Sequence, residues 1–427
     1  MKKLLIIGVN TRPIVNSALK LDFEIYSSSY YATYDFEKPL NEIHILNQNI
    51  GESCGDFTEK YNPKDLLNIS KDFLEIVDYI ILCSGISSSD FTGNYKKYKK
   101  KIIGNKNVVN IEDKFKFYQH VKNKFLTPET FKLKDINEAS EIIENDIDKS
   151  YILKPLNGTG GYNVNFVNND SFNQFKDMMR SDENINNLNN ETSKNNSWIL
   201  QECIKGINVS SSVLSSNKEA KTIINSRLLT LNDYGQKNSF IYSGNIIPLD
   251  LKSLSTLNNF NLPQDEIGID NLNEDMNLIS ENLIKDLNLI GSTGVDMILS
   301  YDVESKNILE NDIYIIEVNP RIQGTYECVE ELLKINLLNA HILACKGEII
   351  ETPKFKGYSM KKIIYSKNRV CVGNLSLDNV YDVPYPNVII ENNQPLVTLI
   401  NRNNNLKKVL KTIDITESYV NNNIENI

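Results

Sequence analysis

The chain opens on a short apolar run, residues 4–9, that stops at Asn10-Thr11-Arg12. A run of this length with a polar stop predicts a strand buried on both faces. Residues 13–19 follow behind Pro13 with helix-like spacing, and residues 23–26 predict a second strand. Residues 65–76 again have helical spacing, and residues 79–83 form a further buried run. Strands alternating with helices predict a parallel sheet with crossover helices over residues 1–110. Ligands of such sheets sit beyond the carboxyl ends of the strands. Here those ends are Asn10-Thr11-Arg12 and Cys83-Ser84-Gly85, with Tyr30, Tyr31 and Tyr34 as packing or cleft-lining residues.

The pattern changes near residue 110. Asp113 is placed to cap a helix running toward Lys122, and residues 132–145 predict another. Residues 151–154 and 164–167 read as strands joined by the glycine-rich loop Pro155-Leu156-Asn157-Gly158-Thr159-Gly160-Gly161. Residues 182–197 are Asn-rich and polar, and predict a loop or insertion. Strand patterns follow at 198–203, 209–214, 222–229, 294–299 and 313–318, with helices at 274–289 and 326–338. From about Gly347 short strands and turns take over. Four units result: 1–110, 111–205, 206–346 and 347–427.

Composition narrows the partners. A net charge of −9 argues against nucleic acid and against an anionic membrane surface. The basic run at residues 96–101 is too short to change that and reads as a solvated face. No segment is long and apolar enough to cross a bilayer, and the first strand lacks the cleavage-like site of a signal peptide. Six scattered cysteines, with no C-x-x-C pair, and three distant histidines argue for a reducing, cytoplasmic setting without structural zinc.

Three stretches carry chemistry. Lys154 precedes the glycine-rich loop, whose backbone N–H groups can approach phosphate oxygens closely because no Cβ intervenes. The alternative is a flexible hairpin with a solvated lysine; no Gly-Lys-Ser/Thr follows, so this is not a Walker A loop. Asp296 interrupts the apolar run at 294–299, and Glu317 and Asn319 stand two apart in Glu317-Val318-Asn319-Pro320-Arg321, so they share a strand face. If the two strands pair, Asp296 lies near Glu317, and such oxygens suit magnesium bound together with substrate phosphates. The alternative, two surface acids, sits poorly with their apolar surroundings. Gln201-Glu202-Cys203-Ile204-Lys205-Gly206 reads as a hinge whose main chain can offer a donor and an acceptor to adenine.

In this order the motifs resemble the ATP-grasp superfamily, and more closely its carboxylase-like branch. Asp113-Lys114, Lys154 with its loop, Gln201 to Ile204, Asp296 and Glu317 to Arg321 all match, over roughly residues 1–345. The whole chain resembles archaeal predicted ATP-dependent carboligases. The resemblance implies an α/β ATP-grasp fold with an N-terminal Rossmann-like (pre-ATP-grasp) domain, a lid subdomain, a large grasp subdomain and a small C-terminal β-rich segment. It implies that Lys114 and Lys154 contact ATP phosphates beneath a lid of Gly158, Thr159, Gly160 and Gly161. Glu202 and Ile204 would hold adenine through their main chains, Asn208 stands nearest the ribose, and Arg227 is a further phosphate candidate. Asp296, Glu317 and Asn319 would hold Mg2+, with Mn2+ as an alternative, and Arg321 would face the acyl phosphate or acceptor. The implied reaction joins a small-molecule carboxylate to an amine or similar nucleophile with release of ADP and phosphate. A bicarbonate-using carboxylase, a phosphotransferase and a non-catalytic ATP-binding subunit are the alternatives. Biotin carboxylases carry a glutamate shortly after the Arg-x-Gln; here Gly324-Thr325 follows, with Glu327 beyond. The C-terminal segment is expected to pack against the grasp core or to help form a homodimer.

Overall fold

A computed structural model describes residues 1–36, 41–57, 61–158, 160–172, 197–257, 266–301 and 308–427. The first unit is a parallel sheet of β1 (Lys2–Gly8), β2 (Phe23–Tyr31), β3 (Asn41–Leu46) and β4 (Tyr79–Leu82), in the order β3-β2-β1-β4. β1 is central, so both its faces are covered. Leu4 and Ile6 pack with Ile14, Val15 and Ala18 of the helix Arg12–Ala18, while Leu5 and Ile7 pack with Leu66, Leu67 and Leu74 on the opposite side. That two-sided burial is why residues 4–9 read as an unbroken apolar run.

The second unit is a small antiparallel sheet of β5 (Thr130–Lys132), β6 (Tyr151–Pro155), β7 (Asn165–Val167) and β8 (Trp198–Glu202), ordered β5-β8-β6-β7. The polar stretch 182–197 falls, but for Ser197, outside the described residues.

An antiparallel sheet of eight strands forms the body. It begins with β9 (Gly206–Ser215), β10 (Ala220–Thr230), β11 (Tyr242–Ile247), β12 (Gly291–Tyr301), β13 (Ile308–Asn319) and β14 (Tyr358–Tyr365). β15 (Val370–Val372), β16 (Val380–Tyr381), β17 (Ile389–Ile390), β18 (Pro395–Asn403) and β19 (Ile424–Asn426) complete the chain. The spatial order is β13-β12-β9-β10-β11-β14-β18-β16, with β17-β15-β19 as a separate small sheet. Strands from both sides of residue 347 thus share one sheet, because β14 pairs with β11 in the register Asn245↔Lys361. Two C-terminal features differ from the sequence pattern. A 17-residue helix, Leu406–Asn422, lies where turns were expected. The single helix expected over 326–338 is two, Tyr326–Leu333 and Leu337–Cys345, because Lys334 turns left-handed at φ 54° and Asn336 caps the second.

The sheet separates two layers. On one face Val209, Val213, Val295 and Met297 pack on Met276, Leu283 and Ile284 of the helix Glu266–Asp286. On the other, Leu214, Ile224, Ile247 and Ile400 meet the N-terminal unit and the two helices after residue 325. Among the described residues no helix is long and apolar enough to cross a membrane.

His341 joins the N-terminal unit to the grasp sheet. Its Nδ1 accepts from the Ser292 amide at 2.8 Å, and its Nε2 donates to the Ile103 carbonyl at 3.1 Å. Burial holds its pKa below the ordinary value of 6.5. The native ring is therefore neutral, and the unfolded chain takes up its proton first. Stability is full above pH 6.5 and is lost as pH falls below it. H341L, which strands the Ser292 N–H and the Ile103 carbonyl, is expected to cost about 1–3 kcal/mol and to flatten that acid limb. Thermal melting across a pH series measures both effects.

Candidate active site

The acids come first. In the β12–β13 ladder Asp296 stands opposite Glu317 and Gly294 opposite Asn319, so all three oxygen-bearing side chains share one face. Asp296 accepts from Ser210 Oγ at 2.6 Å and from the Asn319 amide nitrogen at 2.8 Å. The amide oxygen of Asn319 is left uncommitted among the described residues. Gln323 folds back to donate to Ser210 Oγ at 3.1 Å. It can do so because residue 294 is glycine: a Cβ there would lie 1.5 Å from Gln323 Nε2. Burial, and then the neighbouring Glu317 charge, push the Asp296 carboxyl above the usual range, against the pull of Ser210, Arg321 and Asn319. A buried carboxylate with raised proton affinity, facing a second carboxylate, is a donor set that a divalent cation fits, since bound metal relieves the repulsion. No group of three or more His, Cys, Asp or Glu suited to a metal occurs among the described residues, so the set is two carboxylates and an amide.

The lysines approach from the lid side. Lys154 closes β6, is 6% exposed, and donates to Gln201 Oε1 at 2.8 Å; Gln201 in turn donates to Thr130 Oγ1 at 2.9 Å. Burial, with Lys114 adding repulsion and Glu317 opposing, pushes Lys154 down to about 8. Asp113 caps the helix Lys114–Val121 by accepting from the Phe115 and Lys116 amides. That cap fixes Lys114 at the first helical position. Its Nζ donates to the Gly158 carbonyl at 2.7 Å and lies 4.0 Å from Glu317 Oε2. The loop tip rests on the grasp sheet: the Tyr242 amide donates to the Gly160 carbonyl at 3.1 Å. Gly161, at φ 78°, passes so close that a Cβ would lie 2.0 Å from the Phe240 carbonyl oxygen. Thr159 lies outside the described residues.

At the hinge, Glu202 gives its amide to the Glu129 carbonyl and Cys203 to the Ser150 carbonyl, whereas the Ile204 amide makes no such bond among the described residues. Asn208 pairs with Ile298, two residues from Ser210 on the face of Asp296. Arg321 follows β13, half-buried, with no ion-pair partner among the described residues; its charge acts on Asp296 and Glu112. Arg227 does not belong with these groups. It pairs with Val209, while its neighbour Ser226 pairs with Ser210, the partner of Asp296. Arg227 therefore points to the opposite, helix-covered face. There its Nη1 donates to the Ser253 and Leu254 carbonyls at 3.0 and 2.7 Å and to that of Thr256, and it pairs with Asp233. Strand parity corrects the phosphate expectation for this residue.

A family model described as an ATP-grasp domain matches residues 111–260 and 266–325, the span from before Lys114 to beyond Arg321. The chain carries an ATP-grasp domain. Its fold is the ATP-grasp fold, as solved structures of low identity bear out. The biotin carboxylase domain of Hydrogenobacter thermophilus 2-oxoglutarate carboxylase, bound to MgADP and bicarbonate, aligns with a TM-score of 0.66 at 14% identity, over 96% of this chain and 88% of that one. Campylobacter jejuni biotin carboxylase gives 0.67 at 14%, over 100% and 92%. N5-carboxyaminoimidazole synthetase from Staphylococcus aureus, complexed with ADP, gives 0.64 at 14%, over 97% and 98%. An uncharacterized protein of Methanocaldococcus jannaschii is 29% identical over 417 residues, 96% of this chain and 91% of the relative.

The ATP-grasp reading of the sequence missed one buried network. Arg12, 2% exposed, gives Nε to Asp382 at 2.6 Å and Nη2 to Glu327 at 2.7 Å, and Lys361 gives Nζ to Glu327 at 2.9 Å. Asp35 accepts from the Asp382 and Val383 amides. Glu327 is thereby committed: burial would raise its pKa, but Arg12 and Lys361 outweigh that and hold it below the usual range. The Tyr242 hydroxyl donates to Asn245 Oδ1 at 2.8 Å; burial first, and then charges that include Asp296 and Glu327, hold its pKa well above the ordinary value. A loop that passes the Phe240 carbonyl through Gly161 should not tolerate a side chain there. G161A is expected to weaken MgADP binding by roughly tenfold or more, the cost of a forced main-chain shift, as read by calorimetric titration.

Proposed function

We propose that the chain is an ATP-dependent ligase. It activates a small-molecule carboxylate as an acyl phosphate and joins it to an amine or similar nucleophile, releasing ADP and phosphate. The supporting observation is the convergence at Lys114, whose ammonium touches the Gly158 carbonyl of the lid and faces Glu317 of the grasp sheet. A triphosphate between these lobes would meet Lys114 and Lys154 from one side and the metal acids from the other.

In the first step a carboxylate oxygen bonds to the γ-phosphorus, and the bond from that phosphorus to the β–γ bridging oxygen breaks, its electron pair leaving with ADP. In the second the nucleophile bonds to the acyl carbon, the carbon–oxygen bond to phosphate breaks, and the amine proton passes to phosphate or solvent. Magnesium, held by Asp296, Glu317 and Asn319, would supply charge neutralisation at the phosphate oxygens. The protein's own task is positioning and electrostatics. Lys114 and Lys154 hold the phosphates, Arg321 holds the reacting carboxylate, and the main chain at Glu202 and Ile204 holds adenine, with Asn208 beside the ribose. Docking of Gly160 on the Tyr242 amide, with Gly161 against the Phe240 carbonyl, excludes water from the acyl phosphate.

A bicarbonate-dependent reaction is the second reading, favoured by the likeness to carboxylases. The commitment of Glu327 to Arg12 and Lys361 weighs against it, because the first carboxylate after Gln323 is then not free to act as a base. In a metabolite screen, magnesium-dependent ADP release that requires a carboxylate and a nucleophile is expected, and E317A should lower it about a hundredfold or more. Labelled bicarbonate appearing in the product would instead establish the second reading. Tight ATP binding without turnover on any substrate pair would mark a non-catalytic subunit.

A further inference from the structure

Asp296 stands on β12 between β9 and β13, and the two neighbouring strands treat its oxygens differently. Its register partner on β9 is Ser210, and on β13 it is Glu317. Oδ1 is held from the β9 side. It accepts from Ser210 Oγ at 2.6 Å and from Gln323 Nε2 at 3.4 Å. Oδ2 is held from the β13 side by one donor among the described residues, the Asn319 amide nitrogen at 2.8 Å. A carboxylate oxygen offers about two acceptor directions. Both are filled at Oδ1, whereas Oδ2 keeps one open on the side of the strand that carries Glu317.

The asymmetry has its own support. Gln323, from the segment after β13, reaches back over the sheet. It fills the gap that Gly294 leaves in the neighbouring row, where Ser212 and Asn319 are the register partners of residue 294. A Cβ at 294 would stand 1.5 Å from Gln323 Nε2 and 1.6 Å from its Cδ. Ser212 Oγ lies 3.2 Å from Gln323 Oε1 and 3.2 Å from Thr325 Oγ1. The amide of Gln323 therefore has one workable orientation. Turned over, it would set Oε1 against the Asp296 carboxylate, two acceptors with no proton between them. Because Nε2 donates to Ser210 Oγ at 3.1 Å, the Ser210 hydroxyl hydrogen is left for Asp296. Ser210 and Ser212 are buried, which shields these bonds from water.

We propose that Ser210, Ser212 and Gln323, seated on Gly294, are positioning residues that restrict Asp296 to binding a cation through Oδ2 alone, and that they thereby select magnesium over calcium. None of the three touches the cation. The assignment rests on the ligase reading and its metal acids, and adds what sets the choice of metal there. Magnesium demands near-ideal octahedral geometry and is usually held by one or two carboxylates with retained water. Calcium takes about six to eight oxygens at longer range and accepts carboxylates through both oxygens. One oxygen of Asp296, the facing Glu317 carboxylate and the Asn319 amide oxygen suit the first requirement. A carboxylate pinned at Oδ1 does not turn to offer both oxygens, so it withholds the ligand that calcium would use.

The test titrates ADP into the full chain by calorimetry, in excess Mg2+, in excess Ca2+ and in EDTA. The wild-type chain is expected to bind MgADP more tightly than CaADP. S210A and Q323M, each close in size to the residue replaced, should weaken MgADP by about tenfold and leave CaADP unchanged, so the preference falls by the same factor. G294A, which expels Gln323, should behave like Q323M. The titration in EDTA reports the nucleotide site without the cation and should match the wild type, and thermal melting without metal shows that each variant is folded. A merely structural role would move all three titrations together. Equal binding of MgADP and CaADP by the wild-type chain would overturn the proposal while leaving the ligase reading intact. An unaltered preference in S210A and Q323M, or a parallel loss in all three titrations, would do the same. A wild-type chain that binds ADP under none of the three conditions would sink the ligase reading and this assignment with it.

Discussion

Two carboxylates facing each other across one antiparallel ladder dominate this molecule. Asp296 and Glu317 are register partners, and no cation contacts Asp296 among the described residues. Burial of Asp296, and then the facing Glu317 charge, raise the proton affinity of Asp296. The compensation within the protein is partial: three neutral donors on Asp296, from Ser210, Asn319 and, at 3.4 Å, Gln323, and Lys114 at the outer limit of an ion pair from Glu317. The lid side mirrors the problem, with two lysines near each other and one of them buried. Each half is electrostatically strained alone. A magnesium ion against the acids and a triphosphate against the lysines would relieve both at once, so the charge distribution is complementary to a metal–nucleotide complex rather than to either component.

That arrangement depends on parts of the chain that never meet a nucleotide. Side chains alternate along the eight-stranded sheet, so one face carries Asn319, Asp296, Ser210 and Lys361 while the other packs on the helix Glu266–Asp286. The Arg12 network then locks the N-terminal unit to the C-terminal strands. Asp382 adopts φ 56° to reach it, and Arg12 more than offsets the cost of burying the Asp382 charge, holding that carboxyl well below the usual range. Breaking one partner of such a cluster leaves an uncompensated buried charge, which is why the network fixes the mutual position of the two units.

The legible parts of the sequence were those whose chemistry is local. Lys154 and its loop, the Asp113-Lys114 cap, and the Glu317-Val318-Asn319 alternation each declare themselves within a few residues, and the β12–β13 pairing brings the acids together as their spacing suggested. Arg227 was misplaced because a strand arginine can point to either face, and only its register against Ser210 decides which. Arg12 and Asp382 are 370 positions apart, with no short-range signal linking them. The break at Lys334 was hidden because Leu332, Leu333, Leu337 and Leu338 keep apolar spacing across it, leaving the Asn336 cap as its one trace. The helix Leu406–Asn422 was obscured by its Thr and Asn content, although Leu406, Val409, Ile413 and Val420 form a buried stripe.

Anomalous diffraction from crystals grown with Mn2+ and ADP tests the central charge complementarity most directly. The account predicts a manganese peak within coordination distance of the Asp296 and Glu317 carboxylates, with the diphosphate reaching from it to the Lys114 and Lys154 ammonium groups. A metal bound elsewhere, or a nucleotide whose phosphates lie away from both lysines, would contradict it.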